Sequence, residues 1–354
     1  MRPPASIRFV DSIAAARARN ASDLHLGAGL PPVLRLDGDL ERMSETALTA
    51  ADVRDIAGTV LSAEESSRLE IAGDVTTVHA DPDYGRMRVH VYTSQRDLTI
   101  AIRLLDRAIP SLQALNLPPV LASFAESKHG IVMLAGPTGS GKTSTMAALV
   151  ERINADSARR ILTIEDPIEY YHESRRSIVT QREIGRNTPN LAAALCGALR
   201  ADPDVIVVGE LRDAETMAAA LTAAETGHLV ITTLHTGNAA QTVDRIVDSF
   251  SGSARAQVRA QLAQVLIAVA CQHLVRRAAG HGRRAVVEVL VATDAVRNLV
   301  RDSKSHHLKN VMATGRRFGM QTLEQHAAEL VADGEIDVAE GQRFGGYDAC
   351  RTVA

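Results

Sequence analysis

The residues best suited to chemistry form one short run: Gly136-Pro137-Thr138-Gly139-Ser140-Gly141-Lys142-Thr143-Ser144. Glycine at this spacing lets the backbone bend until several N–H groups point into one concavity, where an oxyanion is held. Lys142 at the end of the run would reach the β- and γ-phosphates of a nucleotide, and the Thr143 hydroxyl would hold Mg²⁺. The flanks are what such a loop requires. Ile131-Val-Met-Leu-Ala135 reads as a buried strand and Ser144-Thr-Met-Ala-Ala-Leu-Val150 as the helix whose positive N-terminal end adds to the site. The run predicts a nucleotide site with ATP and Mg²⁺ as its ligands.

Three other stretches are suited to completing that site. Thr163-Ile-Glu165-Asp166-Pro167-Ile-Glu169 places carboxylates at a strand end, where Glu165 and Asp166 would meet the metal and its waters. Taken alone, an acidic strand end is more often a solvated loop. Asp202-Pro-Asp204-Val-Ile-Val-Val208-Gly209-Glu210 is an apolar strand closing on an acid, and Glu210 is placed to polarise a water for in-line attack on the γ-phosphate. Asp204, before the strand, reads as structural. Gly227-His228-Leu-Val-Ile-Thr-Thr-Leu-His235 sets histidines at opposite ends of one strand, so they cannot ligate one metal from it. His235 would lie at the phosphate edge as a sensor of the γ-phosphate, with His228 a second nucleotide-binding candidate. Nearer the N-terminus, Arg88 and Arg103 on adjacent strands and Arg96 in the turn between them are a solvated face or, across a subunit boundary, cations for charge developing on phosphate.

These residues need elements to hold them. The early chain reads as a helix near 6–19, a strand at 23–26, a hairpin over 33–40 turned by Asp37-Gly38, a helix at 49–61 and strands at 75–79, 86–92 and 98–104. That grammar is a small α+β domain over 1–107. Prolines at 110, 118 and 119 mark a linker over 108–119. Beyond it, over 120–354, short apolar strands at 131–135, 160–164, 205–208 and 229–233 alternate with helices, which predicts an α/β domain with a parallel sheet covered on both faces. From about Ala254 onward the pattern reads as almost wholly helical.

Composition narrows the class. Formal net charge of −3 and 3% aromatic residues with no Trp argue against a nucleic-acid partner. Cys196, Cys271 and Cys350 are dispersed, against a disulfide framework or a cysteine zinc site and in keeping with a reducing cytoplasm. No apolar run reaches the roughly 18 residues that cross a bilayer. Met1-Arg-Pro-Pro lacks a signal-peptide core, so a soluble cytoplasmic location is expected.

In combination these stretches resemble the secretion-ATPase superfamily, and more closely the PilT-type retraction ATPases of type IV pili. The likeness runs from ASDLHLGAGLPPVLRLDGDL through QREIG, DPDVIVVGELRDAET and TGHLVITTLHTGNAAQTVDRIVD to AVRNLV at 295–300. The resemblance implies a PAS-like N-terminal domain, a RecA-like motor domain with a helical C-terminal region, and a homohexamer with ATP sites between domains and subunits. It implies metal and water roles for Glu165 and Glu210, nucleotide contacts for Arg88, Arg103 and Arg96, and a tie of AVRNLV to retraction. It also implies work at the cytoplasmic face of the inner membrane, with a platform protein and the pilus machinery as partners. Asp97, and Cys271-Gln-His-Leu-Val-Arg, depart from the family pattern. An assembly or type II secretion motor, or an accessory retraction paralogue, is the alternative, and a non-hydrolysing nucleotide-binding module is the reading from another class. The first two lack support in the absence of a four-cysteine module and of a long extra N-terminal region.

Overall fold

Strand alternation in the first hundred residues builds one antiparallel sheet, and apolar β-branched runs in the remainder build a second, largely parallel one. In the computed structural model, which describes residues 5–95, 97–105 and 108–345, the chain divides into two units between Ala108 and Ile109. No helix among the described residues is long and apolar enough to cross a membrane.

The first unit contains α1 (Ala5–Ala18), β1 (Asp23–Gly27), β2 (Val33–Leu36), β3 (Asp39–Arg42), α2 (Ala50–Val60), α3 (Ala63–Ala72), β4 (Asp74–Asp81), β5 (Gly85–Ser94) and β6 (Asp97–Leu104). Its sheet has the order β3-β2-β1-β6-β5-β4. Asp37 and Gly38, both at positive φ, make the predicted hairpin turn between β2 and β3. Thr49 caps α2 reciprocally with Asp52, and Ser62 caps α3 with Glu65. Inward-facing Leu24, Val89, Val91, Ile100 and Ile102 pack against Ile13 and Ile56 of the helices. Asp97 pairs with Ser94 across the β5–β6 hairpin, and Arg96 lies outside the described residues.

The second unit opens with α4 (Val120–Phe124), β7 (Gly130–Ala135), α5 (Lys142–Asp156), β8 (Arg160–Glu165), β9 (Ile178–Glu183), α6 (Leu191–Ala198), β10 (Val205–Val208), α7 (Ala214–Glu225) and β11 (Leu229–Leu234). It continues with α8 (Ala239–Asp248), α9 (Ala254–Val265), β12 (Leu266–Arg276), β13 (Arg283–Val291), α10 (Asp294–Arg301), α11 (Leu308–Thr314), α12 (Leu323–Ala332) and α13 (Val338–Gln342). Seven strands lie in the order β13-β12-β7-β11-β10-β8-β9, all parallel to their neighbours except β13. Every residue of β7 is buried, because alternate side chains meet opposite helix layers. Ile131 and Met133 pack with α6 to α10, while Val132 and Leu134 pack with α4 and α5. Leu112 and Leu117, before α4, belong to that second core.

The expectation of a wholly helical chain after Ala254 fails at residues 266–291, which form the β12–β13 hairpin. Leu266-Ile-Ala-Val-Ala-Cys271 is a continuous apolar run whose periodicity does not separate a buried strand from a buried helix, and its alanines favour the wrong choice. Tertiary pairing to β7 decides it. From α10 onward the described chain is helical, as expected.

Because β13 is an edge strand, its outward backbone groups need partners. Gln321 supplies backbone bonds to Val289 and a side-chain bond to the Val287 carbonyl, and His326 Nδ1 accepts from the Val287 N–H at 2.8 Å. Burial, and next the nearby Arg284 cation, press the His326 pKa down from 6.5 to about 4. The unfolded chain therefore binds a proton near pH 6.5 that the folded chain refuses until about pH 4, so this stability is complete above pH 6.5 and is lost as pH falls. At about 1.4 kcal/mol per pH unit, roughly 2 kcal/mol is gone by pH 5. His326→Gln keeps an acceptor without a titration. It is expected to show a correspondingly shallower loss of unfolding free energy between pH 7 and pH 5, measured by urea denaturation at the two values.

Candidate active site

Parallel register brings the chemistry to one edge of the second sheet. Ala135 lies opposite Leu234, Val208 opposite both Thr232 and Ile164, and Cys271 opposite Ala135. The loops leaving β7, β8, β10 and β11 therefore emerge side by side at the strands' C-terminal ends, where ligands bind in open α/β sheets.

The phosphate loop runs from Gly136 to α5. Gly136 has φ +142°, and a Cβ there would lie 2.2 Å from the Gln272 carbonyl oxygen, so only glycine fits between β7 and β12. Gly141, at φ 87°, turns the chain into α5. Lys142 Nζ donates to the carbonyls of Gly136 and Pro137, each at 2.8 Å. Burial pushes the Lys142 ammonium below the ordinary lysine range, opposed by the charges of Glu210 and then Glu169. Ser140 Oγ is buried without a hydrogen-bond partner. A buried cation, an orphaned hydroxyl and a helix N-terminus form a donor set that fits a nucleotide's phosphates.

Glu165 closes β8 and is buried. Thr163 Oγ1 donates to its Oε1 at 2.6 Å and Gln181 Nε2 at 3.1 Å. Burial raises its pKa, the two hydrogen bonds oppose that rise, and the charge of Glu169 adds to it. Thr143, Thr163, Glu165, Tyr170 and His172 line one small cleft. Ser144 Oγ and Tyr170 OH, 3.0 Å apart, tie the start of α5 to the acidic loop. Asp166 is exposed and does not line the cleft. No group of three or more His, Cys, Asp or Glu among the described residues could hold a metal unaided. Thr143 and Glu165 do fit Mg²⁺ in its usual manner, shared with phosphate oxygens and waters.

Glu210 follows β10. Its Oε2 accepts from Arg212 Nε at 2.9 Å and Nη2 at 2.8 Å, and its Oε1 lies 3.3 Å from His235 Nε2. Thr233 Oγ1 donates to the Gly209 carbonyl at 2.6 Å, which locks the two strand ends together. Asp204 is structural, as expected: it takes the Arg160 N–H and bridges β8 to β10. His228 sits at the other end of β11, bonded through Nδ1 to the Ala223 carbonyl at 2.9 Å, and does not join the phosphate loop of its own chain. In the first unit, Arg35, Asp23, Arg103 and Arg88 are neighbours in one row across β2, β1, β6 and β5. Arg103 Nε is held by Asp23 at 3.0 Å.

Sequence reasoning missed Gln181, Tyr170, Arg212 and Gln272, which touch Glu165, Ser144, Glu210 and the phosphate loop. Only Gln272 carries a signal, a polar residue within an otherwise apolar run, and that has no spacing rule.

The sequence matches the family described as Type II/IV secretion system protein over residues 77–343. It is 42% identical over 305 residues to a twitching motility protein of Neisseria gonorrhoeae, covering 86% of this chain and 82% of that one. It is 40% identical over 328 residues to the type IV pilus retraction ATPase PilT of Pseudomonas aeruginosa, covering 93% of this chain and 95% of that one. The fold superposes on the crystal structure of the pilus retraction motor PilT with bound ADP at a TM-score of 0.84 and 38% identity, covering 96% and 97% of the two chains. With a RecA-like sheet, a phosphate loop and an acidic edge in place, the chain belongs to the type II/IV secretion system protein family as a PilT-type ATPase.

Proposed function

We propose that this chain is the ATP-hydrolysing motor that retracts a type IV pilus, acting as a homohexamer on the cytoplasmic face of the inner membrane against a platform protein of the pilus machinery. The observation that supports it most directly is the pairing of Glu210 with His235 beside the Lys142 loop, in a chain 40% identical to a pilus retraction ATPase.

In this reading the N–H groups from Gly136 to Ser144 and the Lys142 ammonium bind the β- and γ-phosphates. Thr143, with waters facing Glu165 and Asp166, would hold Mg²⁺, which would supply charge neutralisation at the phosphates. Glu210 takes a proton from the attacking water. Arg212 and His235 each hold one of its oxygens, so the carboxylate is fixed in direction, and His235 also reports whether a γ-phosphate is present. Arg88 and Arg103, with Arg96, would be supplied to a neighbouring subunit's nucleotide, and His228 would serve a neighbouring subunit's site. The stretch over 108–119 leads from the PAS-like unit into the motor, and its Leu112 and Leu117 pack in the core of the second unit.

Glu210→Gln is expected to bind ATP with little change while turnover falls by about 10²–10⁴-fold, since general-base help and binding are separate tasks. Lys142→Ala is expected to lose both binding and turnover. Phosphate release and nucleotide titration on the purified variants distinguish these outcomes; near-parental turnover in Glu210→Gln rejects the base assignment.

Sites completed by a neighbour's arginines require assembly. Specific activity is expected to climb with protein concentration as rings form, followed by light scattering alongside phosphate release. A monomer as active as the ring rejects the shared site.

Retraction rests on Ala295-Val-Arg-Asn-Leu-Val300. Val296 and Val300 are buried in the core, as the helical stripe predicts, with Leu299 packed beside them. Arg297 does not point away: its Nη1 donates to the Ala263 and Gln264 carbonyls at the end of α9, at 2.8 and 2.6 Å. Asn298 is exposed, so Asn298→Ala spares that cap. Asn298→Ala, and more strongly Arg297→Ala/Asn298→Ala, are expected to keep most ATPase activity yet fail to restore twitching in a deletion strain. Full restoration by the double variant at normal protein level returns the stretch to plain packing.

A further inference from the structure

Gln272 is a buried polar side chain in the middle of a strand whose neighbours are apolar, 2% exposed, and it has no part in the roles assigned above. The β12–β7 register sets it next to Gly136. Its Nε2 donates to the Ser140 carbonyl at 2.7 Å, and its Oε1 accepts from Thr145 Oγ1 in the first turn of α5 at 2.9 Å. Its own backbone carbonyl occupies the space that a side chain on Gly136 would need. One residue therefore touches the phosphate loop at its start and near its end, and the helix that follows.

We infer that Gln272 is a positioning residue for nucleotide binding: by holding the Ser140 carbonyl toward β12, it aims the Gly141 N–H at the phosphates. The reason is peptide planarity. In a trans peptide the C=O and N–H of one unit point in opposite directions, so fixing the Ser140 oxygen against β12 turns the Gly141 N–H to the open side of the loop. The Thr145 hydroxyl bonds the amide's other end, and a flipped amide would set its oxygen against the Ser140 carbonyl, so one orientation is favoured. A loop left to water would have to order this peptide each time phosphate binds, which weakens binding. The segment Cys271-Gln-His-Leu-Val-Arg thereby acquires a role at the site. His273 extends it, with Nε2 3.2 Å from the Gly237 carbonyl in the loop after His235.

The inference rests on the nucleotide reading and deepens it, so the test uses ADP binding as well as turnover. Gln272→Leu removes both hydrogen bonds and is expected to raise the Kd for ADP by about tenfold or more, the cost of leaving a buried carbonyl without its donor. Gln272→Glu is nearly isosteric. Ionised, it faces the Ser140 carbonyl with a second acceptor; protonated, it donates again. Buried carboxyls protonate well above the ordinary range. Binding by Gln272→Glu, as a ratio to the parent chain at each pH, is therefore expected to be weak at pH 8 and to recover to within about threefold at pH 6. A residue that only fills space gives no such crossover. Calorimetric titration of the assembled full chain at both pH values decides it. A parent-like Kd in Gln272→Leu overturns the inference, as does a pH-independent ratio in Gln272→Glu. Failure of the parent chain itself to bind ADP rejects the nucleotide reading instead.

Discussion

Gly136 runs so close to strand β12 that even a methyl group would meet the Gln272 carbonyl at 2.2 Å. Much else follows from it. The phosphate loop can leave β7 only over a neighbouring strand that carries no obstruction at that level, and β12 must present small or hydrogen-bonding side chains there. Ala270, Cys271 and Gln272 meet both demands. The hairpin partner β13 extends the frame. Its buried Glu288 accepts from the Ala239 N–H at 2.7 Å and so ends the loop after His235 with a carboxylate at a helix N-terminus, where the dipole favours it.

The charged groups of the sheet edge are each engaged within the chain. Lys142 is turned onto the loop's own carbonyls, and Arg212 and His235 converge on Glu210. Lys142, which is buried, is satisfied by those two carbonyls, whereas the Arg212–Glu210 pair lies at the solvent-facing rim.

The sequence made the phosphate loop, the acidic strand ends and the histidine pair legible because each obeys a local rule: glycine spacing, an apolar run ended by an acid, or a polar residue at each strand terminus. The same locality located the Asp37-Gly38 turn and the Thr49 cap. It failed where partners decide. Residues 266–271 pair with β7 more than a hundred positions away, and nothing within the run distinguishes strand from helix. Strand β9, an edge strand with Ile178 exposed, lacks the buried apolar pattern of its neighbours. Gln181 and Gln272 hold Glu165 and the phosphate loop through contacts that no sequence spacing encodes.

The two bonds of Gln272 also set an order of events. They reach back 132 residues to Ser140 and 127 to Thr145. A ribosome adding about 5–20 residues per second takes roughly 7–26 s to pass from one partner to the other. For that interval the phosphate loop exists without its brace, a glycine-rich segment at the end of an uncovered strand. The brace inferred for nucleotide binding is therefore missing until well after the loop itself is made. It comes only after β12 has docked alongside β7, so a chain interrupted before the hairpin carries the complete loop sequence and not the finished site.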